Sequence, residues 1–357
     1  MPEVEPHVMQ IGLDSVRGAS EVSIDTREIL KKEEMFGLIF HSDTLFSEVD
    51  DYVQSLDQGR LEDEGFSGVL GVSIETLERE INAMPELLDE KTKPFFNHDV
   101  KRFHRFVVAG IERLKAALGG QDFDIAQLRE KWDRTKKNWE VFRFVMEDVA
   151  IRSRDGEQNL SDEIIAIDRD QDISRMLDVL DYLTGKFMPS VSRITEVEID
   201  ADVEEEKHNL RIETPHALIV NVLNNCITNA VDPSVQAGHL KLRVKIDRGE
   251  LVIAFYDDGR GMGDALLQSI FEKGVTQGKA MGTGLGLAQA QERIIKGQGV
   301  LSVASREKFI TGEGIDFGTT HYNPPNMTQE EKRRFELDGI MIPFSTGFEI
   351  RSKIIKA

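Results

Sequence analysis

The chain has 357 residues, 40% of them apolar and 7% aromatic, with a formal net charge of −20 and one cysteine. That length buries at least two cores and suggests two or three domains. The acidic balance excludes non-specific nucleic-acid binding and attraction to an anionic membrane surface, and the lone Cys226 excludes an internal disulfide framework. No apolar run approaches the ~18 residues of a membrane span. With an acidic start, Met1-Pro2-Glu3-Val4-Glu5, that reads as no signal peptide, a cytoplasmic location is expected.

Residues 1–78 mix short apolar pieces with acidic clusters such as Glu48-Val49-Asp50-Asp51 and carry no motif, so an input or docking module and an amphipathic extension both remain open. Residues 79–155 change to helical periodicity. Phe96, Val100, Phe103, Val107, Ile111, Leu114 and Leu118 recur at spacings of three and four, and Gly119-Gly120 ends that helix. Beyond it Ile125, Leu128, Trp132, Thr135, Trp139, Phe142, Met146 and Val149 form a second seam. Two helices and a short turn predict an antiparallel hairpin. Pairing two copies into a four-helix bundle is the expected way to bury Trp132 and Trp139, with a monomeric domain packed on the N-terminal region as the alternative. At ~100° per residue His98 points away from this seam, whereas His104 lies ~40° from Val100 and reads as structural.

Residues 156–171 are a charged connector. After it, Val197-Glu198-Ile199 and Asn209-Leu210-Arg211-Ile212 read as strands, and 216–231 as a helix with an apolar face and with Asn225 and Asn229 on one stripe. Paired amides can bind Mg²⁺ and phosphate oxygens, although such a pair is more often solvated. Residues 240–246 and 251–256 form a hairpin over Asp247-Arg248-Gly249-Glu250. Asp257, at the end of that apolar run, can accept a hydrogen bond from an exocyclic amine, with Gly259 and Gly261 keeping the backbone close, or can be a plain Asp-Gly turn. The run Gly282-Thr283-Gly284-Leu285-Gly286-Leu287-Ala288 reads as a phosphate-cradling turn entering a helix, though glycine turns also serve without a ligand. It is no P-loop, because Gly278-Lys279 is followed by Ala280, and no dinucleotide fingerprint, because a polar run over 271–281 precedes it.

Together, Asn225-x-x-x-Asn229-Ala230, Asp257-x-Gly259-x-Gly261 and Gly282-x-Gly284-x-Gly286 resemble the N, G1 and G2 boxes of the Bergerat-type (GHKL) ATPase and kinase superfamily. Their order and spacing are similar to the catalytic domain of sensor histidine kinases over roughly 172–357. The fold so implied is α+β: an antiparallel helical hairpin for dimerisation, then an α/β sandwich that binds ATP. The resemblance assigns Mg²⁺ to Asn229 and the adenine amine to Asp257. It makes Gly282, Thr283, Gly284, Leu285 and Gly286 the border of a mobile lid, with Asn225 in the N box and Phe271 at the F box. His98-Asp99, followed by Lys101, resembles the H box, in which His98 takes the γ-phosphoryl group and Asp99 orients it and accepts its proton. It implies a homodimer that passes phosphate to an Asp of a response regulator receiver domain. An ATPase of the gyrase, mismatch-repair or chaperone branch is disfavoured, since those carry a Glu where this chain has Asn225; a non-catalytic scaffold is disfavoured by the intact boxes.

Three departures stand out. Asp232 replaces a usual Lys, for which Lys279 or Lys273 is a candidate substitute. Residues 311–345 read as an insertion that includes a charged helical piece at 329–337. Both Thr346, before Gly347, and Thr319, after Gly318, match the family's adenine-pocket threonine.

Overall fold

The computed structural model describes residues 170–186, 194–232, 235, 237–272, 275, 286–311, 314–338 and 344–355, and before these residues 96–101, residues 125–152 and scattered positions between 46 and 110. The chain divides into two compact units, 1–161 and 162–357.

In the first unit, residues 96–100 form a π-helical turn, Phe96–Val100, with Phe96 and Val100 fully buried. The turn per residue there is looser than the α-helical value used above to place His98. Helix α1, Ile125–Arg152, follows. His104 lies against Phe142, with ring centroids 6.3 Å apart, and a Cβ on Gly110 would meet Thr135, so these two stretches run in opposite directions. The predicted seam residues Trp132, Thr135, Trp139, Phe142 and Met146 are buried. The two tryptophans, however, are covered without a second copy of the chain. Phe46 stacks on Trp132 and Trp139 at 5.3 and 4.4 Å, and the Trp132 indole N–H donates to Asp50 Oδ1 at 2.7 Å. Residues of the N-terminal region thus bury both tryptophans within one chain, and their burial is no longer a reason for a four-helix bundle.

The second unit is helices over a mixed sheet. Helix α2 (Ser174–Lys186) leads to β1 (Ile194–Ile199), α3 (Ala201–Glu206), β2 (Arg211–Ile212) and α4 (His216–Ala230). The hairpin β3 (His239–Asp247) and β4 (Glu250–Asp257) closes through Arg248 and Gly249, both at positive φ (57° and 84°) as a tight hairpin turn requires. Then come α5 (Asp264–Ser269), α6 (Gly286–Lys296), β5 (Val300–Ser305), the hairpin β6 (Lys308–Thr311) and β7 (Gly314–Phe317), β8 (His321–Asn323), α7 (Gln329–Asp338) and β9 (Thr346–Ile355). The sheet order is β1-β3-β4-β9-β5-β8, with β2 against the end of β9; among the described residues β1–β3 is the one parallel pair of this sheet.

α4 lies between α2 and α6 and packs on β4. Its apolar side chains are buried nearly all round, which is why its few polar positions matter. The other face of β4 has a different cover. Ala254 and Tyr256, with Ala304 of β5, pack against Met327, Phe335 and Phe344 from the long β5–β9 connection. The predicted insertion therefore supplies half of a core: it adds edge strand β8, and α7 seals the sheet's second face. β4 consequently reads as a continuous apolar run, because it is buried on both sides.

Candidate functional site

The candidate site sits where β4 ends and β9 begins, beside the C-terminal end of α4. Asn225 and Asn229 lie one turn apart on α4, each partly buried. The Nδ2 of Asn225 is buried with no hydrogen-bond partner among the described residues. An amide donor in that state forfeits its solvation unless a ligand completes it. Asp232 and Val235 turn the chain after α4, with Val235 N–H donating to Asp232 O at 2.9 Å, and Arg260 N–H donates to Val235 O at 3.3 Å. The helix end is thereby tied to the loop after β4. Cys226, facing inward as its apolar neighbours require, is fully buried, and its thiol is pushed far up by burial and by the charge of Asp257.

Asp257 is 5% exposed at the last position of β4. One carboxylate oxygen accepts the Gly259 N–H at 2.9 Å; the other makes no hydrogen bond among the described residues. Burial pushes its pKa up to about 7, against the smaller lowering effect of the Gly259 N–H and with a further rise from Asp258 beside it. A half-free buried carboxyl is a site that expects a donor. Asp258 is spent structurally: it accepts from Gly238 and His239 N–H at 2.6 and 2.7 Å and pairs with Lys308 at 3.4 Å.

The glycines have a reason beyond closeness to a ligand. Gly261 has φ +70°, and a Cβ there would stand 1.8 Å from the Arg306 carbonyl oxygen; a Cβ on Gly259 would meet Val235 at 2.5 Å. Both admit neighbouring protein backbone or side chain into the loop. Lys308 N–H donates to Arg260 O at 2.8 Å, so β6 is bolted to the same loop. Arg306, with its charged form disfavoured by burial, donates to Phe344 O at 2.9 Å and lies 3.9 Å over the Phe317 ring.

Of the two candidate threonines, Thr346 is the Cα partner of Asp257 in the β4–β9 ladder and is buried, whereas Thr319 lies exposed in the β7–β8 connection. The structure thus brings Asp257, Gly259, Gly261 and Thr346 together. Ser305 and Ser345, unremarked in the sequence, join them: Ser305 Oγ lies 2.9 Å from Thr346 Oγ1, and Ser345 Oγ donates to Gly259 O at 2.6 Å. Only strand register reveals them, since Ser305 and Thr346 are forty-one positions apart and directly paired. Phe271 follows α5, partly buried, and Gly286 opens α6. Lys273, Lys279, Gly282, Thr283, Gly284 and Leu285 lie outside the described residues, and of His98 and Asp99 only the π-helical backbone is described. Among the described residues no group of three or more His, Cys, Asp or Glu is arranged to hold a metal ion, and no helix is long and apolar enough to cross a membrane.

Residues 215–322 match the family model described as histidine kinase-, DNA gyrase B-, and HSP90-like ATPase. The sensor histidine kinase WalK of Bacillus subtilis (strain 168) is 27% identical over 165 residues, which are 41% of this chain and 27% of WalK. The chain thus matches about a quarter of that relative's length. Among solved structures, the mycobacterial sensor histidine kinase MprB is 17% identical over 52% of this chain and 98% of its own, with a TM-score of 0.35. The catalytic domain of the histidine kinase ThkA, in a nucleotide-free form, is 15% identical over 51% and 95%, with a TM-score of 0.32. The histidine kinase AdeS of Acinetobacter baumannii is 13% identical over 72% and 97%, with a TM-score of 0.30.

Proposed function

Because residues 215–322 form an ATP-binding domain of the histidine-kinase type, in the family shared with DNA gyrase B and HSP90, we propose that this chain is a protein-histidine kinase. It works as a homodimer, takes the γ-phosphoryl group of ATP onto His98 and passes it to an Asp of a response regulator receiver domain. The observation that carries the nucleotide half is Asp257, a buried carboxylate with one oxygen uncommitted, at a strand end beside a helix that presents an unpartnered amide.

Asp257 accepts from the adenine amine, and Thr346 borders the same base. Asn225 donates to a phosphate oxygen, a use that fits its lone buried N–H₂. Asn229 offers one hard amide oxygen; with phosphate oxygens and water making up the rest, that suits Mg²⁺, which supplies charge neutralisation when bound. Gly282, Gly284 and Gly286 border a lid, and Lys279 within it replaces the cation that Asp232 is not. Phosphoryl transfer asks the protein mainly for positioning and charge. His98 attacks through one ring nitrogen, ADP leaves, and the proton on the other nitrogen passes to Asp99.

ATP hydrolysis without transfer is the competing reading, and Asn225 weighs against it: an amide one turn before Asn229 cannot take a proton from water. Incubation with γ-labelled ATP tests the choice. Acid-labile, base-stable label on the protein, absent from His98→Gln and Asp257→Asn, supports the kinase. Free phosphate with unlabelled protein means an ATPase, and neither product means a scaffold.

A further inference from the structure

β8 has three residues, and each of them reaches α5, the short helix that follows the glycine loop of the candidate site. Asn323 Nδ2 donates to Leu267 O at 2.9 Å, Gln268 Nε2 donates to Tyr322 O at 3.0 Å, and His321 Nδ1 stands 3.5 Å from Asp264 Oδ1. The first two are reciprocal, since each element lends a side-chain amide to the backbone of the other. Leu267 O is among the last four carbonyls of α5, which lack partners within a helix, so the buried Asn323 amide closes the helix end from the edge of the sheet. The His321–Asp264 contact is open to solvent and adds little.

A helix of six residues does not hold itself in water, so what α5 packs against decides where it lies. On one side is the site: Leu267 N–H donates to Gly263 O at 3.0 Å, Met262 N–H donates to Ser305 Oγ at 2.9 Å, and Gly261 packs on the Arg306 carbonyl. On the other is β8, where Lys332 Nζ of α7 lies over the Tyr322 ring, 5.2 Å from its centroid. Contacts therefore run unbroken from α7 through β8 and α5 to the loop that carries Gly259 and Gly261.

Resting on the ATP-binding reading, we propose that Asn323 is a positioning residue for that site: with Gln268 returning the bond, its amide clamps α5 to β8 and so sets the place of the loop over 259–263 beside Asp257, acting through Leu267 rather than on the nucleotide. The stretch 311–345, which seals the second face of the sheet, thereby also tunes affinity for ATP. A binding site works when its parts are held to within about 0.5 Å, and one that holds that geometry for only a fraction of the time binds more weakly by that fraction.

The test measures Mg-ATP affinity by calorimetry and amide hydrogen exchange over 264–269 in the full chain, with urea unfolding to show that each variant folds. Asn323→Leu stays close in shape and removes the donor. It should weaken Mg-ATP binding by about three- to tenfold and speed exchange in α5. Gln268→Leu, at an exposed position, should do the same to a smaller degree, and it decides the matter if Asn323→Leu does not fold. Val203→Ala is the control. It opens a cavity at α3, by the end of β3 away from Asp257, and should lower stability while leaving Mg-ATP affinity unchanged. Unchanged affinity in a folded Asn323→Leu, or in Gln268→Leu where the first variant does not fold, overturns the assignment and leaves ATP binding standing. Affinity lost without faster exchange in α5, or lost equally in Val203→Ala, overturns it too. A wild type that binds no Mg-ATP overturns the nucleotide reading itself.

Discussion

Replacing Asp257 by Asn removes a buried charge and keeps the shape, so it should separate stability from ligand binding. Burial raises this carboxyl from 3.8 to about 7. Its folded-state pKa thus exceeds its unfolded value, and the stabilisation it brings is complete below pH ~3.8 and lost as pH rises through about 7. Above pH 7 the folded chain holds an ionised group at a cost of up to about 4 kcal/mol, from about three pKa units at ~1.4 kcal/mol each. Asn is neutral throughout and still accepts the Gly259 N–H through its carbonyl. Urea denaturation of both proteins at pH 5 and pH 8.5 reads the effect. The variant should gain stability relative to wild type by up to about 3 kcal/mol between the two pH values, whatever constant offset its amide introduces. The same variant should lose ATP binding. A stability difference that is flat with pH would refute the account of Asp257 as a strained, uncommitted carboxylate held for a ligand.

The same titration predicts that wild-type affinity for Mg-ATP, measured by calorimetry, rises by up to about tenfold from pH 6 to pH 8, as the ionised acceptor becomes the major form. Gly261→Ala should cost several kcal/mol in thermal or urea unfolding, since a Cβ would overlap the Arg306 carbonyl at positive φ. Phe335→Ala should cost about 3–5 kcal/mol by urea denaturation of the ATP-binding unit, because α7 seals the second face of the sheet. His104 is held neutral, its pKa lowered from 6.5 to about 4 by burial. The stability this brings is present above pH ~6.5 and lost as pH falls toward about 4, by about 3 kcal/mol at most. His104→Gln should flatten that acid limb in pH-dependent unfolding while still taking phosphoryl label.

The sequence alone determined whatever depends on local order. The turn Asp247-Arg248-Gly249-Glu250 between two apolar runs specifies a hairpin, because Gly249 takes positive φ without steric cost and the tight turn draws Arg248 into the same region. The apolar spacing along 216–230 specifies a buried helix, and the order of Asn225, Asn229, Asp257 and the glycines marks a nucleotide-type domain. Residues far apart in the chain were decided only by tertiary structure. Phe46 covers Trp132 and Trp139, a contact that seam periodicity leaves open between a second copy of the chain and the N-terminal region. Thr346 stands beside Asp257, while Thr319, equally good as a motif, stays exposed, because antiparallel register sets which side chains share a row and no local pattern encodes it. Ser305 acquired its partner the same way. Residues 311–345 read as an insertion for a related reason: a helix as charged as α7 shows its worth only where Phe335 and its neighbours meet Tyr256 and the sheet gains its second cover.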